Sequence, residues 1–359
     1  MKASEPIQIG KHRLKNRITF APTVKFDYTD DSGVANEKHV IHYEERAKGG
    51  CGLICVEATA VLPEGRFCKT HMGLWDDNQI DGHKRIVEAC HSYGTIVILQ
   101  LNHTGYCSNP ECGEPIGPSA IPRTDFRGNY TTKEMSVEEI KEVQNAFVTA
   151  AIRAKKAGYD GVQLHACHGY LLNQFASALT NKRTDSYGGC VKNRALFTTE
   201  IIREIRNRCK EQFLISVRTS GFETSLEDAI EVAAEYVKAG CEYLQVSSGT
   251  VSLESVPAFR DPNVTDIQSV GAYFHDVFRD EVPVSCVGGI RNASQVHYLL
   301  EHDYADTVDV ARAILADPAF ANDVLEGREV IPCFSCKACQ FGPFTAHVCP
   351  AEQVRIGKI

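Results

Sequence analysis

Apolar residues recur along this chain in two rhythms that alternate. Short, largely β-branched runs occupy Ile18–Ala21, Leu53–Ala58, Thr95–Leu101, Gly161–His165, Leu214–Thr219, Tyr243–Ser247, Val282–Val287 and Val308–Ala311, with the length of buried strands. Each is followed by a stretch of helical period: Glu37–Lys48, Asp81–Ser92, Val137–Lys156, Arg194–Arg208, Glu227–Lys238, Asp266–Arg279, Ala293–Glu301 and Arg312–Asn322. Strict strand–helix alternation with strands apolar on both faces predicts an α/β protein with a parallel sheet covered by helices. Eight strands are the number that closes such a sheet, so the pattern predicts a (β/α)8 barrel over residues 1–330. An open doubly wound sheet fits less well, because no G-x-G-x-x-G turn follows the first strand. No Pro/Gly/Ser-rich linker interrupts the barrel, and residues 331–359 form a short cysteine-rich extension.

A barrel of this kind gathers its chemistry at the C-terminal ends of the strands. The fourth strand empties into His165, His168 and Tyr170, two imidazoles and a phenol within six residues. A lone histidine in such a place is more often structural, and an H-x2-H pair needs further ligands to hold zinc, which no nearby carboxylate in the motif supplies. Other strand ends carry Pro22-Thr23, Glu57-Ala58, Gln100 with Asn102-His103, Arg218, Ser247-Ser248-Gly249, Gly288-Gly289 and Ala311-Arg312. The last two pairs follow the seventh and eighth strands, where glycines admit close backbone approach, a following helix start offers N–H groups, and Arg312 adds a bidentate partner for phosphate.

Composition removes several classes of function. A net charge of −8 and a pI near 5.9 give no overall attraction to nucleic acid or an anionic membrane. The first residues lack the apolar core of a signal peptide, and no run reaches the roughly 18 apolar residues of a membrane span, which predicts a cytoplasmic protein. Fifteen cysteines, an odd number, argue against a complete disulfide framework and for buried thiols in a reducing compartment.

With these residues in place the chain resembles the Old Yellow Enzyme family of FMN-dependent ene-reductases. The likeness runs through Leu14-Lys15-Asn16-Arg17, Ala21-Pro22, Val56–Val61, Gln100–Gly105, the long motif Asp160–Arg194, Val287-Gly288-Gly289-Ile290 and Val310–Pro318. The resemblance implies FMN across the barrel mouth, with Pro22, Thr23, Val24 and Ala58 along the isoalloxazine, Gln100 at its pyrimidine edge and Arg218 facing N1/O2. It also implies Gly288, Gly289, Ala311 and Arg312 around the phosphate, and NAD(P)H as electron donor. Val24 departs from the Thr or Cys that relatives often carry there, so one hydrogen bond to the flavin is missing. Lys25 and Phe26 would either face substrate or cap the first strand. In similar enzymes the pair at His165 and His168 holds the carbonyl of a small unsaturated substrate and Tyr170 protonates its α-carbon. Specificity would then come from Tyr106–Tyr130, Leu172–Thr184 and Gly249–Val264.

Beyond the barrel, Cys333, Cys336, Cys339 and Cys349 are spaced C-x2-C-x2-C-x9-C. Three corners of a cubane can be wrapped by such a loop, with the fourth ligand returning from a short excursion. The segment resembles that of the iron–sulfur branch of the family, the dienoyl-CoA reductase and trimethylamine dehydrogenase type, which implies a 4Fe–4S cluster; structural zinc or unligated thiols are the alternatives. Longer members of that branch continue into a region for FAD and a nicotinamide nucleotide. Ile359 lies ten residues after Cys349, so the expectation is that NAD(P)H reduces FMN directly or that a partner protein supplies electrons. An ene-reductase, a flavin amine dehydrogenase or demethylase, and a non-catalytic electron-transfer subunit are the three readings; the His165/His168/Tyr170 set favours the first. Oligomeric state is left open, a homo-oligomer included.

Overall fold

A computed structural model describes residues 1–125, 128–248, 261–336, 339 and 348–358. All eight expected strands form, as β1 (Ile18–Phe20), β2 (Leu53–Ala60), β3 (Ile96–Asn102), β4 (Gly161–Ala166), β5 (Leu214–Ser220), β6 (Tyr243–Ser247), β7 (Val284–Val287) and β8 (Thr307–Val310). Every neighbour pair is parallel, and β8 returns to β1, so the sheet closes into a barrel. Helices α1 (Glu37–Lys48), α2 (Ile80–His91), α3 (Val137–Lys156), α4 (Leu196–Cys209), α5 (Leu226–Ala239), α6 (Asp266–Phe278), α7 (Ala293–Glu301) and α8 (Phe320–Glu326) surround it. Their starts are set locally: Asn36, Ser136 and Thr265 close capping boxes on α1, α3 and α6. The last expected helix, Arg312–Asn322, is broken into Arg312–Ala316 and α8. Pro318 disfavours helical backbone at the residue before it, and Asp317 is extended, with φ −136° and ψ 100°. Among the described residues no helix is long and apolar enough to cross a membrane.

The main core lies between strands and helices, as the doubly apolar strands require. A second, smaller core closes the N-terminal end of the barrel, where a hairpin of Ile7–Ile9 and His12–Leu14 brings Ile9 and Leu14 against Leu53, Ile98, Leu214 and Tyr243. Above that plug the lumen is polar. Period-2 alternation turns Gln163 and His165 of β4, Ser216 and Arg218 of β5, and Gln245 and Ser247 of β6 inward, and the register sets His165 beside Arg218 and Arg218 beside Gln245. The mouth of the barrel is therefore floored with hydrogen-bonding groups rather than with packed aliphatic side chains.

Candidate functional site at the C-terminal mouth of the barrel

Where β4 ends, the chain makes a tight turn through His168 (φ +59°) and Gly169 (φ +73°). A histidine in left-handed backbone is strained, and its neighbours hold it there. Gly169 N–H donates to Asn173 Oδ1 (2.8 Å), Gln174 Nε2 donates to Gly169 O (2.7 Å), and Asn173 Nδ2 donates to Glu223 Oε1 (2.8 Å). Tyr170 then begins the short helix Leu171–Ala176. The turn brings the three expected side chains together: Tyr170 lies edge-on to the His165 ring at 4.9 Å between centroids, and His165 Nε2 is 3.1 Å from His168 Nδ1.

The two imidazoles bond each other rather than standing apart with free nitrogens. His168 Nε2 is also 2.7 Å from Ser247 Oγ, which accepts from the Arg218 guanidinium at 3.3 Å. Both His168 nitrogens are thus engaged, while His165 Nδ1 is buried with no partner among the described residues. Burial, with the nearby Arg218 charge, pulls His168 down to about 3, and His165 is lowered by the same causes together with His168 itself. Burial pushes the Tyr170 phenol up to about 12. All three side chains are neutral at ordinary pH, and the phenol retains its proton.

Cys167 adds a donor that the spacing of histidines alone did not suggest. Its Sγ and one nitrogen from each of His165 and His168 lie within 4.8 Å of one another, and among the described residues no carboxylate joins them. Burial raises that thiol to about 12, so it sits there protonated.

The remaining expected residues ring the same mouth. Thr23 Oγ1 donates to Ala21 O (3.0 Å), turning the chain back after β1, with Pro22 and Val24 half-buried beside it. Lys25 does not point toward the β4 turn: its backbone N–H donates to Glu57 Oε2 (2.7 Å), and its ammonium lies over the Tyr28 ring at 4.9 Å, in a pocket shared with Lys38, His42 and Arg46. Phe26 meets Phe67 edge-on at 5.6 Å, and Phe67 in turn lies against His71 at 4.1 Å. Ala58 falls in the stretch of β2 where the register shifts between Val56 and Thr59, and its carbonyl is 2.7 Å from His71 Nε2. Gln100 donates to Gln163 Oε1 (2.8 Å). Arg218 keeps its buried Nε without a partner among the described residues. Gly288 and Gly289 have φ of +97° and +69°, and Ala311 precedes Arg312–Ala316 without a side-chain cap. The Gly249 end of β6 and most of the β6 specificity loop, residues 249–260, lie outside the described residues, as do 126–127 of the β3 loop.

The long motif after Tyr170 proves to be scaffold. Arg183 ion-pairs with Asp185 and donates to Pro118 O (3.0 Å) and Met135 O (2.6 Å), Asn181 donates to Phe175 O and Tyr187 O (both 2.7 Å), and Arg194 donates to Ala176 O (2.7 Å) and Gly189 O (2.8 Å). These buried donors satisfy carbonyls of an irregular loop that would otherwise be orphaned, and so fix the path after β4. Ser247 stood out in the sequence as the polar end of the sixth strand, whereas Asn173 and Gln174, inside the loop after the fourth, carried no such signal.

Cys333, Cys336, Cys339 and Cys349 line one small cavity of about 20 Å³ with Arg312, Phe334 and Pro350. Cys333 Sγ also accepts from the Ser335 N–H at 3.5 Å. Residues 337–338 and 340–347 of this segment lie outside the described residues.

The closed parallel barrel, its polar lumen and the His/His/Tyr cluster at its C-terminal mouth are the arrangement of a barrel oxidoreductase, and the comparisons give the class as the Old Yellow Enzyme type. Residues 4–330 match the model of the NADH:flavin oxidoreductase / NADH oxidase family, and the chain belongs to that family. A NADPH dehydrogenase of Bacillus licheniformis is 38% identical over 310 residues, covering 85% of this chain and 88% of the relative. A NADH oxidase of Thermoanaerobacter brockii is 35% identical over 342 residues, 92% of this chain but only 52% of the relative. Among solved structures, a 2-naphthoyl-CoA reductase in complex with 2-naphthoyl-CoA superposes with a TM-score of 0.86 at 26% identity, covering 94% of this chain and 54% of that one. The chain therefore spans about half the length of these last two. FMN and NAD(P)H are the cofactors that go with this family.

Proposed function

We propose that this chain is an FMN-dependent ene-reductase that reduces the C=C bond of an α,β-unsaturated carbonyl compound. The observation that carries the reading is the buried His165 Nδ1, without a partner among the described residues, beside the neutral Tyr170 phenol, 4.9 Å from ring to ring. FMN, when bound, supplies the hydride it has taken from NAD(P)H. The mouth fits that cofactor: Arg218 holds a buried Nε–H that lacks a partner among the described residues, and a Cβ at Gly288 would meet Ile267 at 2.2 Å, so the turn keeps its backbone bare. A fixed guanidinium there opposes the negative charge of a reduced flavin.

The protein's own part is to hold and to protonate. The His165/His168 pair receives the carbonyl oxygen and stabilises the negative charge that grows on it as hydride reaches the β-carbon. Tyr170 gives its proton to the α-carbon and recovers one from water, so one hydride and one proton saturate the bond. A phenol held near 12 does not ionise beforehand, yet an enolate is basic enough to take its proton. The structural relative named a 2-naphthoyl-CoA reductase was solved with 2-naphthoyl-CoA, a thioester whose carbonyl is conjugated with an aromatic ring, which supports a conjugated carbonyl as the substrate class here.

The test is anaerobic: reduce the flavoprotein with NAD(P)H, then follow reoxidation by unsaturated acids, ketones and thioesters. Reoxidation with stoichiometric saturated product supports the proposal. Reduction of the flavin by amines, with no unsaturated compound reoxidising it, would replace it with the amine dehydrogenase reading.

We also propose that Cys333, Cys336, Cys339 and Cys349 hold a 4Fe–4S cluster, on the ground that all four line one cavity with Arg312. Anaerobic reconstitution with iron and sulfide should load about four of each per chain, the count of one cubane. Stoichiometric zinc in the protein as isolated, with no iron uptake, would assign a zinc site instead.

A further inference from the structure

Below the mouth, the barrel lumen holds a carboxyl. Asp309 of β8 is 1% exposed, in register with Val287 of β7 and Thr19 of β1. Its Oδ1 accepts a hydrogen bond from Thr19 Oγ1, while Oδ2 is buried with no partner among the described residues. Such a group is costly to ionise unless a positive charge lies near. Burial pushes Asp309 from 3.8 up to about 6, and the Thr19 hydroxyl and the Arg218 guanidinium hold it back. The other titratable groups that interact with it are Cys55 of β2, Tyr243 of β6 and Cys286 of β7, and burial pushes all three up, so they stay uncharged. Among the described residues Arg218 is therefore the one charge that Asp309 meets.

The guanidinium forms no close ion pair among the described residues; its side-chain bond goes to Ser247 Oγ. Neutral groups fill the lumen between the two charges. Cys55 Sγ donates to Gln163 Oε1 at 3.4 Å, and Gln163 Nε2 donates to Ser216 Oγ at 3.2 Å, two residues before Arg218 on the inward face of β5. Asp309 pushes the Cys55 thiol up and Arg218 pulls it down, so the two charges flank one space. Resting on the FMN that goes with this family and not on the ene-reductase reading, we propose that Asp309 is the counter-charge of Arg218 and, through it, a determinant of the flavin's reduction potential. Hydride from NAD(P)H carries two electrons and one proton to oxidised FMN, leaving NAD(P)+ and a flavin with one more negative charge. Arg218 stabilises that charge, and an ionised Asp309 cancels part of the guanidinium's field, so the potential falls. A neutral carboxyl leaves the field whole. Asp309 is thus a positioning residue that acts by charge.

The experiment is a redox titration of FMN-loaded protein with mediator dyes, from about pH 5 to about pH 8, which needs no unsaturated substrate. Asp309→Asn keeps the shape and an acceptor for Thr19 but carries no charge. At about pH 8 it should raise the midpoint potential by about 30 mV, a tenfold shift of the two-electron equilibrium. That is the order expected of one unit charge acting across a layer of side chains at an effective dielectric of about 20. The gap should close toward about pH 5, where the wild-type carboxyl is protonated as well. Thr19→Val removes a donor to the carboxylate, so its potential should match that of Asp309→Asn at low pH and part from it only at higher pH than the wild type does. FMN content and thermal melts report whether each variant is folded; should Asp309→Asn not hold FMN, the displacement between wild type and Thr19→Val carries the test, and its absence overturns the proposal. Equal wild-type and Asp309→Asn potentials at about pH 8 also overturn it, as does a gap that stays constant across the range, which would mark a change of shape rather than of charge. If the potentials behave as stated and no unsaturated carbonyl reoxidises the flavin, the ene-reductase reading fails and this assignment stands.

Discussion

Replacing Gly288 by alanine tests the proposed contribution of the β7 turn to cofactor binding. At φ +97° an L-residue carries about 1–2 kcal/mol of backbone strain. The new Cβ would also lie 2.2 Å from Ile267 Cγ2 in the first turn of α6, far inside normal contact, and such overpacking costs a further 1–3 kcal/mol or so. Free apoprotein can relax the turn away from Ile267, whereas a phosphate held by its backbone requires the original shape. The strain, about 2–5 kcal/mol in sum, therefore appears in the FMN dissociation constant, weakening it by about 30-fold to about 4,000-fold. Gly289→Ala is the internal control. Its φ of +69° carries the conformational cost, but its nearest contact, Thr265 Cγ2 at 3.2 Å, needs only a small shift, so the loss should be several-fold smaller. Adding Ile267→Ala to Gly288→Ala should recover the steric share alone. Flavin fluorescence quenching on titrating apoprotein measures all four proteins, and thermal melts of the apoproteins report any folding cost. Gly288→Ala binding FMN within about threefold of wild type would refute the argument, as would a loss no larger than that of Gly289→Ala.

Tyr170→Phe removes the proton source and should slow reoxidation of reduced flavin by an unsaturated carbonyl about 10²- to 10⁴-fold, with NAD(P)H reduction little changed in stopped-flow; equal half-reactions in both proteins would discard Tyr170 as the acid. Glu57, buried against Tyr43 and the Lys25 N–H, is pushed by burial from 4.5 up to about 7. The folded state holds this proton up to about pH 7 while the unfolded chain releases it near 4.5, so the stability it contributes is full below about 4.5 and lost as pH rises through about 7. Glu57→Gln should flatten that fall, of order 3 kcal/mol, in melts across this range; parallel pH profiles would contradict it. Arg194→Ala leaves the buried Ala176 carbonyl, the Gly189 carbonyl and the Asp228 carboxylate without their donor and should cost about 3 kcal/mol of stability in denaturant titrations, more than any effect on FMN affinity.

Strand and helix positions were legible because burial on both faces and helical periodicity are local properties of the sequence. So was the position of His165, Arg218 and Gly288 at strand ends, since a closed parallel barrel carries every strand end to one mouth. Reading helix through Arg312–Asn322 failed at Pro318 although the signal was local: two short apolar turns on either side carry the same period as one helix. What no local pattern contains is partnership. Ser247 lies 79 residues from His168, and Asn173 lies 50 from Glu223; only the alignment of β4, β5 and β6 side by side in the barrel makes them neighbours. Cys167 joined the histidines because a left-handed turn folds the chain back on itself. The order of residues determined the barrel, its eight strand ends and the chemical types gathered there. Tertiary structure decided which of these side chains meet, because hydrogen-bond partners arrive from distant strands and burial keeps water from replacing them.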